Sequence, residues 1–147
     1  MSVYFFYGDE DYLKEQLLDD IKAIVFKDCT KYRLQNEELT FRTADRKDWW
    51  FHVKGMPGSH VIVKSGEKEL PDRVYEEAGM LAAFYSSATP NEKVEVDYTL
   101  RKNLKKPAGS RPGLVIYHTN YSLIATAKKP NFMRVYSTYL YFCIASQ

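Results

Sequence analysis

The segment Trp49-Trp50-Phe51-His52-Val53-Lys54 constrains the fold more than any other. Side chains alternate along an extended chain, so Trp49, Phe51 and Val53 share one face, with Trp50, His52 and Lys54 on the other. Gly55-Met56-Pro57-Gly58 then supplies turn chemistry, and Ser59 to Lys64 reads as a second strand. Residues 49–64 are therefore expected to form a β-hairpin. A sheet built on it needs a cover, and Val74, Ala78, Leu81, Ala82 and Tyr85 recur at helical spacing after Pro71, which suits a first helical turn.

The remaining elements follow from the same periodicities. Val3 to Tyr7 reads as a strand. Gly8-Asp9-Glu10-Asp11 then opens a helix carrying Leu13, Leu17, Ile21, Ile24 and Val25. Leu39 to Thr43 alternates and reads as a strand, as does Val94 to Thr99. Leu114 to His118 and Leu123 to Ala127 read as a last hairpin around Thr119-Asn120. The expected fold class is α+β: a mainly antiparallel sheet with one principal helix packed on it, plus an N-terminal strand-helix extension. Phe51, Val61, Val74, Leu81 and Val96 are the expected core. A composition of 45% hydrophobic and 27% charged residues supports a packed interior.

Charge is unevenly placed. Residues 1–97 hold thirteen Lys/Arg against nineteen Asp/Glu, whereas 98–147 hold eight Lys/Arg and no acid, so a net charge of +2 conceals halves of −6 and +8. A one-signed region attracts polyanions. Arg101, Lys102, Lys105, Lys106 and Arg111 lie within a segment punctuated by Pro107, Gly109, Pro112 and Gly113, where the backbone can approach phosphates closely. Tyr98, Tyr117 and Tyr121 are near it in sequence and could stack unpaired bases.

Other chemistries find little support. His52 and His60 are too few for a metal site, with His118 far away in sequence, and no cofactor is expected. Gly58-Ser59-His60 lacks a nucleophile elbow, and no phosphate loop of the Walker type occurs, so no catalytic centre is expected. Cys29 and Cys143 fit no zinc or disulfide framework and read as free thiols of a reducing cytoplasm. No signal peptide is expected at Met1. The longest apolar run, Val135 to Ala145, is about half of a bilayer span, so no membrane partner is expected.

Several motifs in register resemble a known family. They are Asn36-Glu37-Glu38-Leu39-Thr40-Phe41, Asp48, Trp50 to Lys54, Pro57 to Ile62, Glu77-Ala78 through Tyr85-Ser86, Val96-Asp97-Tyr98-Thr99, Lys106-Pro107, Gly109 and Pro112-Gly113. Together they resemble the NFACT-R domain of RqcH/NEMF-type proteins, long labelled fibronectin/fibrinogen-binding. The resemblance divides the chain into an N-terminal extension, 1–35, an NFACT-R-like domain, 36–128, and a C-terminal tail, 129–147.

It implies RNA binding, to tRNA or rRNA, in ribosome-associated quality control on obstructed large ribosomal subunits. It also implies that a separate chain would supply the family's N-terminal parts, for which 147 residues leave no room. Cys29 to Leu34 stands where the family has a glycine- and asparagine-rich strand-turn. Residues 3–25 instead resemble the opening of a clamp-loader delta-type subunit, through Tyr7-Gly8-Asp9-Glu10 and Tyr12-Leu13.

The reading is thus a cytoplasmic, non-catalytic RNA-binding module. Arg101, Lys102, Lys105, Lys106 and Arg111 are the expected phosphate contacts, and His52, Ser59 and His60 an adjoining polar patch. Two rivals are a protein-interaction or adhesin-like module, whose binding would not be salt-sensitive in this way, and an RNA-processing enzyme using Asp48, His52 and His60 as acid/base groups.

Overall fold

The computed structural model describes residues 3–5, 36–65, 70–129 and 141–145, with side chains for 36–65 and 70–129. The helix expected between Gly8 and Phe26 lies outside the described residues. Six strands form one antiparallel sheet: β1 (Val3–Phe5), β2 (Trp49–Val53), β3 (His60–Lys64), β4 (Lys93–Leu100), β5 (Tyr121–Thr126) and β6 (Tyr141–Ala145). Their order across the sheet is β1-β6-β3-β2-β4-β5. The hairpin forms as expected, with Trp49 opposite Val63 and Phe51 opposite Val61. β4 lies on the other side of β2, with Phe51 opposite Tyr98 and His52 opposite Asp97.

The principal helix, α1 (Asp72–Phe84), follows Pro71, whose extended backbone marks its start. Asp72 in the first turn suits the positive end of the helix dipole. The stripe Val74, Ala78, Leu81 and Ala82 packs on Phe51, Val53, Val61, Val63, Val94 and Val96. All five expected core residues are at most 2% exposed. The helix ends where the Tyr85 N–H reaches the Leu81 carbonyl.

The chain then returns to the β2–β3 turn: Ser59 N–H donates to the Tyr85 carbonyl and Ser87 N–H to that of Pro57. A glycine is required here, because a Cβ on Gly58 would lie 2.4 Å from Val53 Cγ2 and 3.1 Å from Ser86 Cβ.

Two expectations are corrected. Leu39–Thr43 is a π-helical turn, not a strand. It buries Leu39 and Thr40 against the sheet face opposite α1, where Leu39 joins Trp50, Ile62 and Leu104 in a second core. Five residues are too few to separate alternation from one helical turn. The hairpin expected between 114–118 and 123–127 does not form. β5 pairs with β4 along its whole length, and Ile116 instead bridges Lys105. Both faces of the central strands are therefore covered, one by α1 and the other by the π-helical turn and the basic loop.

Candidate nucleic-acid interface

The basic segment is held on the sheet face opposite α1. β4 ends at Leu100, and Arg101–Asn103 form a single 3-10 turn. Leu104 then turns inward and is buried. Lys105 and Ile116 exchange two backbone hydrogen bonds of 2.9 Å, closing the loop that carries Gly109 and Gly113 at positive φ.

Polar contacts from β4 complete the attachment. Tyr117 Oη donates to Asp97 Oδ2 at 2.8 Å, and Ser122 Oγ donates to Asp97 Oδ1 at 2.6 Å. Thr99 Oγ1 donates to the Thr119 carbonyl at 2.7 Å. The Tyr117 ring lies 5.4 Å from Trp50. Burial, and then the bond to Asp97, push the Tyr117 phenol well above its ordinary pKa, so it remains a donor.

The five cations have different surroundings. Lys102, Lys105 and Arg111 are exposed. Arg101 is half-buried: its Nε donates to the Thr40 carbonyl, and its guanidinium sits 4.7 Å from the Phe41 ring centre. Burial, and then the charge of Arg46, lower its pKa, but a guanidinium stays protonated at neutral pH. Lys106 Nζ donates to Glu37 Oε1 at 2.6 Å.

The polar patch divides by depth. Ser59 is fully buried, its Oγ donating to the Tyr85 carbonyl at 3.0 Å. His60 is 2% exposed, and its Nδ1 shares a 2.8 Å hydrogen bond with Thr40 Oγ1, while its backbone N–H donates to Asn36 Oδ1. His60 therefore lies under the π-helical turn, on the side of the basic loop, whereas Ser59 is tied to the end of α1. His52 keeps partial exposure, stacked with Trp50 at 5.7 Å and edge-on to His60 at 5.2 Å. Burial lowers its pKa to about 4 against the opposing pull of a hydrogen bond to the Gly58 backbone and the charge of Asp97. Burial and the neighbouring His52 hold His60 well below the ordinary range too. Both rings are therefore neutral at pH 7.

Asp48 serves the turn before β2: its buried carboxylate accepts the Asp45 N–H at 2.8 Å and lies 3.4 Å from Lys64 Nζ. The three tyrosines separate. Tyr98 stacks on Phe51 and Tyr121 on the α1 side, whereas Tyr117 lies with the basic loop.

Residues outside the expected set also border the basic loop. Lys102 N–H donates to the Arg46 carbonyl, and Arg101 N–H to that of Asp48, so the turn 45–48 abuts the start of the basic loop. Arg46 had no signal of its own, because the acid-rich tally of residues 1–97 concealed it. Asp97 and Glu37 stand in the family motifs, but their pairing with Tyr117 and Lys106, 20 and 69 positions away, has no local signal. Among the described residues no group of three or more metal-binding side chains occurs, and no helix is long and apolar enough to cross a membrane.

An antiparallel sheet with one covering helix and a cation-rich loop bound to its other face defines a class of α+β module suited to polyanions. The sequence model of the NFACT protein RNA binding domain matches residues 9–118, and the chain belongs to that family. It is 40% identical over 114 residues to the Rqc2 homolog RqcH of Streptococcus pneumoniae, covering 78% of this chain and 20% of that protein. With the Rqc2 homolog RqcH of Bacillus subtilis it shares 42% identity over 96 residues, 65% of this chain and 16% of the relative. A coiled-coil domain-containing protein 25 homolog from Dictyostelium discoideum is 34% identical over 91 residues, 58% of this chain and 44% of that protein. The chain thus spans a fifth or less of the length of these RqcH relatives. The solved C-terminal part of the fibronectin/fibrinogen-binding protein of Streptococcus suis superposes with a TM-score of 0.62 at 40% identity. The match covers 66% of this chain and 39% of that one.

Proposed function

We propose that this chain is a non-catalytic RNA-binding module of ribosome-associated quality control, contacting tRNA or rRNA at obstructed large ribosomal subunits in the cytoplasm. The observation that carries this reading is the cationic loop fastened over the sheet by Leu104, Tyr117 and the Lys105–Ile116 bridge. Anchoring fixes the charges in space before RNA arrives, which reduces the ordering cost of binding. Lys102, Lys105, Lys106 and Arg111 meet phosphates, with Arg101 at the loop base. His52 offers a neutral hydrogen-bonding edge, His60 supports the surface beneath it, and Ser59 ties the hairpin turn to the end of α1.

Each phosphate contact releases counterions, with a slope of about −0.7 in log affinity against log salt for single-stranded RNA. Lys105→Ala combined with Lys106→Ala should weaken binding of many RNA sequences and flatten that slope by about one to two units. His52→Ala should weaken binding with the slope nearly unchanged, because a neutral imidazole releases no counterion. Binding at several salt concentrations, with circular dichroism of each variant, measures both. Unchanged binding by the folded double lysine variant at every salt would refute the loop as the site. A protein-interaction module would then lead, presenting the exposed Leu114, Ile116 and Ile124.

A further inference from the structure

The basic loop has no acid of its own, and its counter-charge comes from Glu37, 69 positions earlier. Glu37 Oε1 accepts from Lys106 Nζ at 2.6 Å, and Oε2 faces the Gly113 N–H at 3.4 Å. One oxygen thus meets an ammonium and the other a backbone amide on a glycine with φ of 80°. The Arg42 charge also acts on this carboxylate. An ammonium beside an amide from a left-handed glycine is a donor arrangement that phosphate oxygens accept. A phosphodiester resembles a carboxylate in the two respects that matter here, a single negative charge and two free oxygens. The pair is also accessible, with side-chain exposures of 26% for Glu37 and 39% for Lys106.

We propose that Lys106 and the Gly113 amide, with Arg42 nearby, form a phosphate subsite that Glu37 fills in the free protein and a backbone phosphate of bound RNA takes over. This deepens the RNA-binding reading and rests on it. The hydrogen bond from Lys106 holds the Glu37 carboxyl below the usual carboxylate range, so the occupant is ionised at neutral pH and competes as an anion. Its displacement is inexpensive, since exposed ion pairs contribute only about 0–1 kcal/mol and the freed carboxylate returns to water. Glu37 would then be a built-in competitor that sets a threshold for binding.

The test compares the parent with Glu37→Gln, which keeps the side-chain shape and an accepting oxygen while removing the charge. A single-stranded RNA oligomer should bind the variant up to about fivefold more tightly, the ratio for the upper end of an exposed ion pair. Its salt slope should steepen by up to about 0.7, because in the parent the displaced Glu37 carboxylate takes up a cation and offsets one release. Adding Lys106→Ala to Glu37→Gln should abolish the gain. Inorganic phosphate should shift the Gly113 amide resonance in Glu37→Gln at concentrations that leave the parent unmoved.

Equal or weaker RNA binding by folded Glu37→Gln would overturn the proposal and make Glu37 a structural latch. If neither protein binds RNA, the RNA-binding reading falls, and the phosphate titration alone decides the subsite. A shifted Gly113 amide then sustains it, and an unmoved one overturns it.

Discussion

Trp50→Ala should destabilise the fold by about 3–5 kcal/mol, the range for removing a buried tryptophan. Trp50 is completely buried and shares the second core with Leu39, Ile62 and Leu104. Its ring also meets His52, His60 and Tyr117, and Leu39 and Leu104 share its core, so the π-helical turn, the hairpin and the basic loop converge on it. These neighbours are attached to different backbone segments, which limits their collapse into the vacated space. Chemical denaturation measures the loss. Limited proteolysis should also show the 101–117 loop becoming susceptible before the β2–β3 hairpin, because Tyr117 would lose its aromatic support. A loss below about 0.5 kcal/mol would mean that this second core contributes little.

Stability should also fall steeply as pH drops from about 6.5 toward 4. An unfolded histidine takes up its proton near pH 6.5. His52 in the folded chain resists protonation down to about 4, and His60 is displaced in the same direction. Between those values the unfolded state binds more protons, so folding stability rises with pH. The contribution is fully present above about pH 6.5 and is lost as pH falls through the folded values. For His52 the difference corresponds to at most about 3 kcal/mol, less in practice because the residue keeps partial exposure. Most carboxylates titrate lower, so denaturation midpoints between pH 7 and 5 isolate the histidines. His52→Gln should flatten part of this slope. A parent midpoint unchanged from pH 7 to 5 would show that the rings protonate freely in the folded chain.

The parts of this fold legible in sequence are those whose patterns are local. The β2–β3 hairpin announces itself through alternation and a glycine turn, and α1 through five apolar positions on one stripe, the last of them, Tyr85, at its C-cap. The alternation is legible because the two faces of the hairpin meet different covers, α1 on one side and the π-helical turn with the basic loop on the other. Leu39–Thr43 was misread because its packing is set by Trp50 and Ile62, which local periodicity does not include. The last hairpin was misread for the same reason. The reversal after His118 is real, but β4, not 114–118, provides the partner for β5.

The site divides in the same way. A cluster of cations within eleven residues is visible in one dimension. That His60 lies beneath Asn36 and Thr40 is not, because these residues are 24 and 20 positions away in the chain; nor is the bond of Ser59 to the Tyr85 carbonyl, 26 positions on. Arg46 is hidden by the acidic balance of the N-terminal two-thirds, and the pairing of the motif residue Glu37 with Lys106 by their separation, although each touches the basic loop.

The central claim is that the loop and the face around His52 touch RNA of the translation machinery. Ultraviolet crosslinking in cells, followed by sequencing of the attached RNA and mass spectrometry of the crosslinked peptides, tests it most directly. Reads should concentrate in tRNA or large-subunit rRNA, with crosslinks within residues 101–117 and at His52. Protein crosslinks without attached RNA, or RNA joined only to residues away from that face, would contradict it.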